Sequence, residues 1–176
     1  MSAFDDALRL TLKYEGGKSD DRDDRGGLTM YGITQAVYNR WRRGRGLFAR
    51  PVTEIEDLEL RTIYRDEYWT AAHCDDLPDQ LAKCVFDAAV NHGPQRAIKL
   101  LQTAVGAGAD GRFGPMTRAA VDTLLEQQAI TNYLDARADF YTEIIERDPT
   151  QVRFAHGWDN RVAALRSALL GVYGEA

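Results

Sequence analysis

Glu15-Gly16-Gly17-Lys18-Ser19-Asp20-Asp21-Arg22-Asp23-Asp24-Arg25-Gly26-Gly27-Leu28-Thr29-Met30-Tyr31-Gly32-Ile33-Thr34 is the stretch on which the reading of this chain turns. A carboxylate closes an amphipathic segment, and a polar loop punctuated by glycine follows it. That loop holds a second carboxylate and a hydroxyl: eight residues separate Glu15 from Asp24, and four separate Asp24 from Thr29. Two carboxylic acids and a water-positioning hydroxyl are the groups that hydrolysis of a glycosidic bond requires.

Upstream, residues 3–15 carry Phe4, Leu8 and Leu12 at helical spacing, with Ser2 placed as N-cap and Asp5 and Asp6 in the first turn. Eleven steps of about 100° from Phe4 bring Glu15 back to within about 20° of the apolar stripe. Glu15 is therefore expected to face the protein, with Gly16 and Gly17 stopping the helix. A carboxyl on that side is desolvated when ionised, which raises its pKa, as a general acid near neutral pH requires.

Downstream, Asp20, Asp21, Asp23 and Asp24 form an acidic cluster broken by Arg22. It does not fit an EF-hand loop, because counting from Asp20 the glycine position falls on Arg25 and the bidentate Glu on Tyr31. Gly26 and Gly27 suit a tight turn. Leu28 to Thr34 then reads as a short β-ribbon, with Thr29 expected to hold the attacking water and Tyr31 to offer a ring face to a sugar.

The order Glu15, Asp24, Thr29 resembles the Glu–Asp–Thr arrangement of phage-type lysozymes. The strings EGG and DDxGGxTxYGIT (residues 15–34) resemble glycoside hydrolase family 108, N-acetylmuramidases common among phage endolysins. Asp24 matches the family string in its spacing from Glu15 and its place before Gly26-Gly27; Asp21 is the alternative. The resemblance implies an α+β, mainly α, lysozyme-like fold with a small β-ribbon lobe and a helical-bundle lobe. It implies Glu15 as the proton donor, Asp24 as the group that stabilises the oxocarbenium-like transition state or activates water, and Thr29 as the residue orienting that water. Asp87 to Gly93 resembles a DxAVNxG string beside the cleft, which makes Asn91 a candidate donor to a sugar. Asp110 to Thr117 resembles the DGxxGPxT signature of peptidoglycan-binding modules, and Gly157 to Arg161 a GWxNR string. The activity implied is hydrolysis of the β-1,4 bond between N-acetylmuramic acid and N-acetylglucosamine. The competing readings are a lytic transglycosylase, which would need neither Asp24 nor Thr29, and a non-catalytic wall-binding or secretion-accessory protein, which would need no buried acid.

The remaining segments read as helical. Thr53 to Glu56 suggests a capping box opening a helix to about Ala72, Pro78 opens the next, and Gly93-Pro94 ends it. Helices are expected over 95–104, from Pro115 to about Glu126, over 127–147, and from Trp158 to Val172. Residues 1–94 form the expected catalytic region, with the ribbon near 25–35. Residues 95–176 form the expected peptidoglycan-binding segment, packed with it into one unit. Trp158 and Arg161 are expected to dock the last helix.

The net charge of −5 over 176 residues argues against nucleic acid as an obligate partner. Arg40, Arg42, Arg43 and Arg45 around Trp41 are the candidate basic patch or, alternatively, a solvated loop. Cys74, Cys84, His73 and His92 match no zinc spacing, so no metal and no cofactor are expected, and the cysteines read as buried thiols. No apolar run reaches the roughly 18 residues of a membrane span, and no leader pattern is legible. The expectation is a monomer held in the host cytoplasm until lysis, acting on periplasmic peptidoglycan once a holin has opened the membrane.

Overall fold

Phe86 and Asp87 sit at the middle of the helix around which the rest of the chain is arranged. In a computed structural model, which describes residues 2–14 and 29–171, this is α4 (Asp79–His92). Leu81, Ala82, Cys84, Val85, Phe86, Ala88 and Ala89 are all buried, so α4 is apolar on nearly every side and has to be surrounded. α1 (Ala3–Leu12), α5 (Pro94–Ala104) and α7 (Glu126–Arg147) pack against it, and α8 (Ala155–Leu170) packs on α7. α2 (Gln35–Gly44), α3 (Asp57–Tyr64) and α6 (Pro115–Asp122) complete the α-helices among the described residues. Phe4, Trp69 and Phe86 meet edge-on or tilted, with centroids 5.5–5.8 Å apart, and Tyr64 joins Phe86 at 6.1 Å.

Among the described residues the sheet is one antiparallel pair, β1 (Thr29–Met30) and β2 (Ile33–Thr34), with Thr29 opposite Thr34 and Met30 opposite Ile33. Tyr31 (φ 50°) and Gly32 (φ 75°) make the connection. Positive φ at both turn positions defines the two-residue hairpin whose twist matches its strands. Tyr31 is the unusual occupant, and the Tyr64 hydroxyl donates to its carbonyl oxygen. A mainly helical protein with a small β-ribbon is the architecture expected, and it is consistent with a lysozyme-like fold.

Four local readings are corrected. First, α1 ends at Leu12 with Lys13 as its C-cap, short of the helix expected over 3–15. Second, Val52–Glu54 is a single 3-10 turn, and the helix proper opens at Asp57, where the Glu59 carboxylate accepts from the Glu56 N–H at 3.1 Å. The Gln35 side chain takes the Val52 N–H at 2.7 Å, which holds that segment as a turn. Third, the arginine run is neither a solvated loop nor a free basic patch but helix α2, with Trp41 buried. Arg40 pairs with Glu67, Arg42 with Glu59 and Arg45 with Asp66, which neutralises most of the run. The last helix also starts earlier than expected, at Ala155, after a 3-10 stretch over Pro149–Phe154.

Candidate active site

The site is built outward from a buried carboxylate. Asp87 is completely enclosed, and two guanidiniums converge on it from helices far along the chain. Arg137 of α7 donates from Nη1 at 2.6 Å, and Arg161 of α8 donates from Nε at 3.0 Å and Nη2 at 2.9 Å. Burial pushes the Asp87 carboxyl up, but the charges of Arg137 and Arg161 outweigh it and hold the group ionised below its usual range. A fully buried arginine is tolerable only when paired in this way.

This cluster fixes two features at the candidate cleft. The first is the end of α1. Thr11 Oγ1 donates to Asp87 at 3.2 Å, and the Arg161 guanidinium lies 5.3 Å from the centre of the Tyr14 ring. Tyr14 immediately precedes Glu15 in sequence, so the chain leading to the expected acid is pinned to the core from two sides. The second is the end of α4. The Tyr141 hydroxyl accepts from Arg137 Nε at 2.9 Å, lies 2.9 Å from His92 Nε2 and donates to Asn91 Oδ1 at 3.4 Å. Asn91 is exposed. Burial, then the charges of Arg137 and Arg161, push His92 down to about 3, so its ring is neutral at any ordinary pH.

Aromatic rings continue this wall. Trp158 stacks on Tyr141 with centroids 4.7 Å apart and planes at 8°, and Phe154 lies beyond it at 5.9 Å. The expected docking role of Trp158 and Arg161 is thus given partners, Tyr141 and Asp87. The ribbon supplies the other candidates. Thr29 is half-buried on β1, and Tyr31 is 38% exposed at the hairpin tip. Glu15 and Asp24, together with the alternative Asp21, lie outside the described residues.

Asp87, Arg137, Tyr141 and Thr11 were not singled out as site residues by sequence reasoning. One signal was present: an aspartate inside the apolar run Val85-Phe86-Asp87-Ala88-Ala89 has to find a buried cation. The cysteines are free and buried, and burial pushes both thiols up, which keeps them protonated and inert.

A family sequence model described as Glycosyl hydrolase 108 matches residues 8–93, and one described as Predicted Peptidoglycan domain matches residues 96–163. A solved structure described as Structure of Brucella abortus SagA is 34% identical, with 98% of this chain and 97% of that one covered and a TM-score of 0.80. No curated protein sequence matches. The chain belongs to glycosyl hydrolase family 108: it is a glycoside hydrolase with peptidoglycan as its substrate class.

Proposed function

We propose that the protein is an N-acetylmuramidase that hydrolyses the β-1,4 bond between N-acetylmuramic acid and N-acetylglucosamine. Glu15 protonates the leaving oxygen, Asp24 stabilises the oxocarbenium-like transition state or activates water, and Thr29 orients that water. The observation that carries this reading is the anchoring of Thr11 and Tyr14 to the Asp87–Arg161 pair. An acid works only if it is held to within a fraction of an ångström, and a rigid helix end fixed by a buried ion cluster is a means of holding it. Tyr31 and Asn91 contact the glycan, the first by its ring face and the second by its amide.

The test is turbidity loss of permeabilised cells by the parent and by Glu15→Gln, with mass spectrometry of the released sugar termini. Reducing termini at muramic acid support the assignment. A 1,6-anhydro product would make the enzyme a transglycosylase, and equal lysis by the variant would remove Glu15 from the acid role.

We further propose the biological setting of an endolysin: a monomer retained in the host cytoplasm until a holin opens the membrane. The support is the resemblance of residues 15–34 to sequences common in phage endolysins. Expression without a holin is expected to leave the host intact, and spontaneous lysis would count against this setting.

A further inference from the structure

Beyond Asn91 the surface opens into a cleft that the hydrolytic chemistry does not use. It is lined by His92, Gly93, Pro94, Gln95, Arg96 and Lys99 and encloses about 370 Å³. Among the described residues no carboxylate lines it. Arg96 and Lys99 carry no ion pair among the described residues, although the other side of the same two residues faces Asp139 and Glu143 across a neighbouring groove. Glu143 is already paired with Arg147 at 2.9 Å.

Both cations are held in place. The Arg96 guanidinium lies 4.5 Å from the centre of the Phe140 ring, a cation–π contact that restrains it. Lys99 is set by the DGRFGPMT loop. Gly111, at φ +78°, approaches α5 so closely that a β-carbon there would stand 2.8 Å from Gln95 Cγ and 3.1 Å from Lys99 Cε. The buried Gln102 holds that loop shut. Its amide donates to Asp110 Oδ1 at 2.8 Å, the Arg112 carbonyl at 3.0 Å and Thr117 Oγ1 at 3.1 Å, and its oxygen accepts from the Gly111 N–H at 2.8 Å. Asp110 Oδ1 and the buried Thr117 hydroxyl are therefore engaged within the loop.

We propose that the cleft formed by His92, Gln95, Arg96 and Lys99 binds a carboxylate of the peptide stem of peptidoglycan. The proposal rests on the muramidase reading above for the placement of the glycan at Asn91. The stem branches from the muramic acid ring, and two extended residues span about 7 Å. The cleft begins one residue after Asn91, so a carboxylate near the start of the stem is within reach. A cleft whose lining includes a guanidinium and an ammonium and, among the described residues, no acid side chain favours a carboxylate, which an arginine can bind with two parallel donors.

The test uses the full chain with two soluble stem peptides, one bearing free carboxylates and one with the same carboxylates amidated. Titration followed by NMR or calorimetry should show binding of the acidic peptide that weakens with salt, and at least about tenfold weaker binding of the amidated one. R96Q/K99Q, whose side chains support no other described ion pair, should bind the acidic peptide about tenfold more weakly. It should also lose the parent's preference for stem-bearing over stem-stripped glycan strands. Equal binding of the two peptides, or unchanged binding by the double variant, overturns the proposal. Peptide binding is read without turnover, so it can succeed or fail independently of whether glycan cleavage yields reducing muramic acid termini.

Discussion

Arg161 grips Asp87 with two donors, Nε at 3.0 Å and Nη2 at 2.9 Å, across 74 residues of sequence. The pair joins the region matched as Glycosyl hydrolase 108 to the region matched as Predicted Peptidoglycan domain, and Arg137 reinforces the junction from the same side. The two matched regions are thus bound through one buried cluster that also receives Thr11 from α1. Asp87→Asn removes the carboxylate that Arg137 and Arg161 share among the described residues. Breaking a buried pair in this way costs about 3–5 kcal/mol, and a drop of that size in the urea unfolding free energy is expected. A change under about 1 kcal/mol would mean that water or another group compensates the arginines.

Glu15→Gln keeps size and polarity but cannot donate a proton. Loss of general-acid catalysis alone is expected to lower the rate by about 10²–10⁴, with thermal stability close to the parent's. Asp24→Asn is expected to fall by a smaller but clear factor and Asp21→Asn to matter little. If the Asp21 change is the damaging one, the second carboxylate is Asp21.

Acid should destabilise the protein through His92. Its folded value of about 3 lies below the ordinary 6.5, so between these values the unfolded chain binds the extra proton. The stabilising effect is complete above the unfolded value and is lost as pH falls toward the folded one, at up to about 1.4 kcal/mol per pH unit. His92→Gln has no proton to take up. Unfolding midpoints of the two proteins, followed down from neutrality, should converge or cross in that window. Parallel curves would show that the ring titrates normally.

Features governed by local chemistry were legible in the sequence. Ser2 caps α1, its Oγ accepting from the Asp5 N–H, Gly93 and Pro94 separate α4 from α5, and Pro115 begins α6. The ribbon between Thr29 and Thr34 was also legible, because a glycine at the turn and alternating apolar residues suffice. The arginine run was not. Its helical state depends on Glu59, Asp66 and Glu67, contributed by a later segment, and without those acids a run of like charges reads as a solvated loop. The end of α1 was misplaced because periodicity says where apolar residues face and not where hydrogen bonding stops. The Asp87 cluster was hidden for a different reason: its partners lie 50 and 74 residues away, and only the packing of α4 against α7 and α8 brings them together.

The Tyr31 backbone offers a test in which stability and activity separate. At φ 50° a bulky residue occupies the left-handed region, a conformation that asparagine adopts more readily and that costs other residues about 1–2 kcal/mol. Asn-Gly is the favoured pair for this two-residue hairpin, so Tyr31→Asn is expected to relieve strain while keeping the turn. It also deletes an exposed ring at the tip of the ribbon, where a sugar face is expected to stack. Strain retained at an exposed aromatic points to function rather than folding. The variant should unfold at an equal or higher temperature, while KM on peptidoglycan rises about three- to tenfold for the lost ring contact. Lower stability with unchanged KM would show instead that the ring supports the hairpin and does not meet substrate.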